Sequence, residues 1–265
     1  LWPGPASAKE YTPNIHPFNW RGWWEYGTGA LGDVGCHLID IPFRTLNLKY
    51  PKSAECSVGS VFTKMWNPDY HPEGCPPSSL ITLNFSATEK SKSPIELTWT
   101  DGGIRPPHPD IIPANSDIGG EDSLNGVLMI GDKGIISTNI NDSSPLMPKL
   151  YLYNGESDFG PEVEKMIEPE YGHQRKWVDA CKAGFNSKEH LGLTSSFDYA
   201  GPMTETVLMG NLAIRSYMLR KEKNGGGFDF YARKKLLWDG ENMKITNIEA
   251  ANQFVTRKYR EGWKV

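Results

Sequence analysis

Asp33, His37, Asp40 and Arg44 follow one another at intervals of four, three and four residues. On an α-helix that spacing sets all four on one face, since residues three and four apart lie above one another. A carboxylate one turn from an imidazole suits acid–base chemistry. Imidazole changes charge near neutral pH, and a nearby Asp can orient it or accept a hydrogen bond from a ligand hydroxyl. His37 is thus the candidate base and Asp33 the candidate binding carboxylate, while Asp40 is better placed to support the helix. Upstream, Arg21, Trp23 and Trp24 could form a ligand wall, the rings stacking and the guanidinium donating hydrogen bonds. His16, next to Pro17, is a further candidate in the same loop. Each feature also has a plain structural reading. An Asp/His pair can be a surface pair, and tryptophans can simply pack a loop onto a sheet.

The elements that must position these residues show in the pattern. Residues 1–28 are rich in Pro, Gly, Trp and Tyr, and they read as a long ordered loop. Its aromatics Phe18, Trp20, Trp23, Trp24 and Tyr26 argue against disorder. Residues 30–47 switch to helical spacing, with Leu31, Val34, Leu38 and Ile41 on the apolar side. Pro42 should kink this helix or lie at a break in it. Strand-like runs follow at 54–64, 79–88, 95–100, 126–130, 134–139 and 149–153, bounded by Gly, Pro, Asn or Asp. Gly131-Asp132-Lys133-Gly134 suggests a hairpin turn, and 101–125 reads as a long loop. Helices are expected at 171–183, 204–221 and 249–259, with a turn at Asp239-Gly240. Consecutive strands without intervening helices imply an antiparallel sheet. The class expected is α+β: one open, mainly antiparallel sheet with helices packed on one face.

Gly27-Thr28-Gly29-Ala30-Leu31-Gly32 matches the GxGxxG pattern of dinucleotide sites. Such a site needs a buried strand directly before it and a βαβ unit around it. Residues 19–26 do not read as that strand. The glycines are better read as a tight turn leading into the helix, and no cofactor-binding residue is assigned in this chain.

Composition narrows the classes further. The chain has 265 residues, 38% hydrophobic, enough for one large domain or two small ones. Its 28 basic and 32 acidic residues give a net charge of −4, with no dense basic block, so nucleic acid is not expected as a partner. No apolar run approaches the roughly 20 residues that span a bilayer. The chain begins at Leu1, so any targeting segment could precede it. Cys36, Cys56, Cys75 and Cys181 form no CxxC pair, and unpaired thiols are expected. No metal site is expected either: Cys36 and His37 are adjacent and point about 100° apart on a helix.

Gly29 to Asp40, with the pattern GxxxDxGxHxxD, resembles the signature of glucose-fructose oxidoreductase, inositol dehydrogenase and their relatives, the Gfo/Idh/MocA family. Residues 19–26, Trp66-Asn67-Pro68, Trp99 to Gly103 and Gly131 to Gly134 resemble a bacterial dehydrogenase subgroup of that family. The resemblance implies an N-terminal dinucleotide-binding domain followed by an open sheet that binds substrate and mediates oligomers. Only the second part matches the strands found here. The family's Glu-Lys-Pro motif and its lysine do not occur in these residues. The chain is therefore expected to be a C-terminal, substrate-binding portion, inert alone and homo-oligomeric through its sheet.

By resemblance, His37 exchanges a proton with the reacting hydroxyl and Asp33 orients the substrate. The implied activity is NAD- or NADP-dependent oxidation of a sugar or polyol, with the cofactor held mainly by the other domain. Two alternatives stay open. One is a glycosidase or lyase working through transient sugar oxidation; the other is a non-catalytic carbohydrate-binding or oligomerisation module. The compartment, bacterial cytoplasm or periplasm, is left open by the sequence.

Overall fold

A computed structural model describes residues 4–7, 9–114, 116, 118, 125–140, 148–156 and 170–263. The class is α+β with open antiparallel sheets. The long loop leads through a 3₁₀ turn, Asn19–Gly22, into helix α1, Gly29–Leu38. Helix α2, Asp40–Thr45, follows immediately. The single helix expected over 30–47 is thus two, and the break at Ile39 falls three residues before Pro42. Proline lacks an N–H and crowds the carbonyl four residues back, here Leu38, so the helix ends there.

Strands β1 (Ser53–Val58), β2 (Ser79–Phe85) and β3 (Ile95–Thr100) form an antiparallel meander. Strands β4 (Asn125–Ile130), β5 (Gly134–Ile140) and β6 (Lys149–Leu152) form a second one. The single sheet expected from six runs is therefore two sheets among the described residues, parted by the Gly/Pro-rich stretch after Asp101. The β4–β5 turn is the expected one, closed by the Gly131 N–H donating to the Gly134 carbonyl.

Helices α3 (Gly172–Ala183), α4 (Lys188–Leu191) and α5 (Phe197–Tyr217) come next. Four short strands follow: β7 (Lys221–Glu222) with β8 (Phe228–Asp229), and β9 (Leu236–Asp239) with β10 (Lys244–Ile245). β9 pairs with β1, giving a five-stranded sheet ordered β10-β9-β1-β2-β3. The last third is thus helix and strand together. The final segment is a 3₁₀ turn, Glu249–Phe254, shorter than the helix expected over 249–259.

The core lies between this sheet and α5. Along β2 burial alternates, with Ile81 and Leu83 fully buried and Leu80 exposed. Ile81 is paired with Cys56 and Trp99, and Leu83 with Ala54 and Leu97, so each inward position forms a row across three strands. Burying one such side chain stabilises by roughly 1.5–3 kcal/mol. α5 lies against β1 and β2, and α1 lies against α5. Gly210 of α5 permits the close approach: a Cβ there would sit 2.4 Å from Leu31 Cδ2. α1 therefore turns Leu31, Gly35 and Leu38 inward and leaves Asp33, Cys36 and His37 outward.

Candidate functional site

The loop before α1 is fixed by backbone pairing. Trp23 forms a β-bridge with Gly74, the Trp24 N–H donates to the Glu73 carbonyl, and the Cys75 N–H donates to the Gly22 carbonyl. These bonds hold the 3₁₀ turn that carries Arg21. The chain then doubles back so tightly that a Cβ at Gly27 would lie 2.5 Å from the Arg21 Cα and carbonyl oxygen. Gly29 has φ +66, and a Cβ there would meet Cys75 Sγ at 2.7 Å. A Cβ at Gly32 would lie 1.7 Å from Thr28 Oγ1. Close packing thus accounts for all three glycines of the GxGxxG pattern. No strand precedes them among the described residues, so this segment does not fit a dinucleotide site.

The tight turn sets Arg21 against the start of α1. Its Nη1 donates to Asp33 Oδ2 at 2.5 Å, a charge-assisted bond. Its Nε donates to the Phe18 carbonyl at 3.3 Å. The guanidinium carbon lies 4.0 Å from the Phe18 ring centre and 5.5 Å from that of Trp20. Asp33 Oδ1 has no hydrogen-bond partner among the described residues. His37 sits one turn further along the same exposed face and makes no hydrogen bond or ion pair with any described residue. The result is an open carboxylate oxygen beside an uncommitted imidazole. Such a pair can accept a hydrogen bond from one hydroxyl and take a proton from another, or from the same one.

The other expected ligand contacts have different surroundings. Trp24 is half-buried and packs against the core, with the Arg215 guanidinium 5.8 Å from its ring centre. Its indole is thus shared between the core and the surface. Trp23 is half-buried, with Lys9 Nζ 5.5 Å from its ring centre. His16 is exposed, five residues before Arg21, and is joined to Pro17 by a cis peptide bond. The structure thus brings Arg21, Asp33 and His37 to one surface. Phe18 and Trp20, which support Arg21, were not singled out as its partners; the three-residue spacing of Phe18 and Arg21 was the available signal.

Beyond Ile39 the ridge is tied down. Asp40 Oδ1 accepts a hydrogen bond from the Tyr199 hydroxyl, and Arg44 lies 3.8 Å from the same oxygen. Arg44 also donates to the Thr194 carbonyl at 3.0 Å and stacks 4.0 Å from the Tyr199 ring centre. Burial, then the Asp40 carboxylate, pushes the Tyr199 hydroxyl up to about 12.

The Trp99-to-Gly103 motif is structural. Asp101 Oδ1 accepts from the Ser79 N–H at 2.6 Å, and its Oδ2 accepts from the Ser79 hydroxyl and the Trp99 indole, both at 2.8 Å. Gly102, at φ +64, passes where a Cβ would lie 2.1 Å from the Pro77 carbonyl oxygen. Trp66 of the other motif sits at φ +63 in a turn closed by a Lys64–Asn67 bridge. All four cysteines are unpaired, and no metal-binding group of His, Cys, Asp or Glu occurs among the described residues. No helix among them is long and apolar enough to cross a membrane.

No curated protein matches the chain. Residues 1–56, which carry the aromatic loop, the Arg21–Asp33 pair, His37 and both short helices, match the family model of the Gfo/Idh/MocA oxidoreductase family's C-terminal alpha/beta domain.

Proposed function

We propose that this chain is the substrate-binding portion of an NAD- or NADP-dependent oxidoreductase acting on a sugar or polyol hydroxyl. The observation that carries the reading is the state of the α1 face. Asp33 is anchored through one oxygen and open at the other, and His37 beside it is exposed and uncommitted. A side chain kept for stability alone is ordinarily engaged by its neighbours; this imidazole is engaged by none of the described ones. The family match over residues 1–56, an oxidoreductase domain, supports the same conclusion.

The residues of this chain supply the proton side of such chemistry. His37 accepts the proton of the reacting hydroxyl. Asp33 Oδ1 accepts a hydrogen bond from a substrate hydroxyl and fixes the sugar's orientation. Arg21 holds Asp33 in place through its other oxygen. Since the glycine-rich turn does not fit a dinucleotide, the nicotinamide cofactor is assigned to a domain outside these residues.

The test joins this chain to its dinucleotide-binding domain and follows NADH absorbance with a panel of sugars and polyols. Net NADH accumulation with one of them is expected. Substrate cleavage without net NADH would favour the glycosidase or lyase, and no turnover with any sugar would leave a binding module.

A further inference from the structure

A cavity of about 450 Å³ lies between α2 and the start of α5, beyond the tied half of the ridge. That volume is in the range of small-molecule sites, roughly 300–1,000 Å³. The groups around it are chemically specific. Arg44 and Lys49 bring two cations and Asp198 one carboxylate, with the Asp40 carboxylate 3.8 Å from Arg44 behind the lining. The Lys49 carbonyl accepts from the Thr206 hydroxyl at 3.2 Å, while its ammonium makes no hydrogen bond or ion pair with any described residue and is available. Arg44 is preorganised by the Thr194 carbonyl and the Tyr199 ring, which hold the guanidinium without using all its donors. Tyr50, with about half its surface exposed, offers a ring at the rim.

We propose that this cavity binds a hydroxyl-bearing organic phosphate, of the sugar phosphate class. A phosphate dianion satisfies the two cations through charge-assisted hydrogen bonds. Asp198 repels a bare anion but accepts hydrogen bonds from hydroxyls on the body of the ligand. The Tyr50 ring can cover an apolar sugar face. The inference does not depend on the chemistry proposed for α1, because none of the residues lining the cavity belongs to that helix.

The test is calorimetric titration of the 265-residue chain at low salt with glucose 6-phosphate, glucose and inorganic phosphate. Glucose 6-phosphate is expected to bind with Kd below about 1 mM, glucose to give no heat, and inorganic phosphate to bind at least about tenfold more weakly. Lys49→Gln, at an exposed position, should weaken glucose 6-phosphate about tenfold. Arg44→Gln is a poorer probe because Arg44 also holds α2 to α5. His37→Ala should leave the affinity unchanged. Failure of glucose 6-phosphate to bind, equal binding of inorganic phosphate, an unaltered Lys49→Gln, or loss of binding in His37→Ala would each overturn the proposal.

Discussion

Asp33 with His37, and Asp40 with Arg44, are both carboxylate–base pairs one helical turn apart, separated only by the break at Ile39. The second pair is held by α5 and the residues before it: Tyr199 donates to Asp40, and Arg44 reaches across to the Thr194 carbonyl. Among the described residues the first pair is held only by Arg21, which leaves an oxygen and an imidazole ring without a partner. Similar residues at equal spacing thus have different surroundings. The difference lies in what faces them. α5 brings an aromatic hydroxyl against α2, whereas α1 meets α5 through Leu31, Gly35 and Leu38 and presents its other side outward.

The sharpest way to break this comparison is to remove the open carboxylate. Asp33→Asn in the assembled enzyme keeps the shape and loses the charge opposite Arg21. A fall of about 10²-fold in kcat/KM is expected, as for loss of a charged hydrogen bond. Steady-state kinetics on the preferred polyol checks it. Asp40→Asn should leave kcat/KM within about twofold.

Next in size is Gly27→Ala. The new methyl meets the backbone of Arg21, which cannot yield as a side-chain tip can. A loss of about 1–3 kcal/mol in stability is expected from denaturant unfolding. Arg21 should shift with the backbone, so this variant weakens the α1 half and spares the α2 half.

Tyr199→Phe does the reverse. Losing the hydrogen bond to Asp40 should cost about 1 kcal/mol and lower Tm by about 2–4 °C, with kcat unchanged. The folded state holds the Tyr199 proton more tightly, to about 12 against an ordinary 10. Its contribution is complete below pH 10 and fades as pH rises through 12. Thermal melts across that window should show a decline that Tyr199→Phe lacks.

The smallest effect concerns the four thiols. Cys36 and Cys181 are exposed, whereas burial pushes Cys56 and Cys75 up to about 12. Mass spectrometry after brief iodoacetamide treatment at pH 8 should find the first two labelled and the second two intact.

Much of this arrangement was legible in the residues. The runs at 79–88 and 95–100 read as strands from their bounding turn residues, and the glycines before Asp33 read as a tight turn because residues 19–26 do not read as a buried strand. Other parts depended on packing that local pattern does not encode. α5 begins at Phe197, seven residues before the expected Thr204, because Pro202 reads as a helix stop. Within the helix the Pro202 carbonyl is satisfied by the Thr206 hydroxyl at 2.9 Å. The two sheets could not be told from one, since local pattern does not show that β3 and β4, on either side of a long loop, leave each other unpaired. Arg21 and Asp33 were each singled out, but their contact needs the bridge between Trp23 and Gly74 that folds the loop back. The same folding turned Trp24 toward the core.

The measurement closest to the central claim is kcat for His37→Ala in the assembled enzyme, with Tm read on the same sample. Loss of a general base lowers turnover by about 10²–10⁴-fold. Because His37 is exposed and engages no described neighbour, Tm should stay within about 1 °C. Unchanged turnover would contradict the account, and the open half of the ridge would then be surface alone.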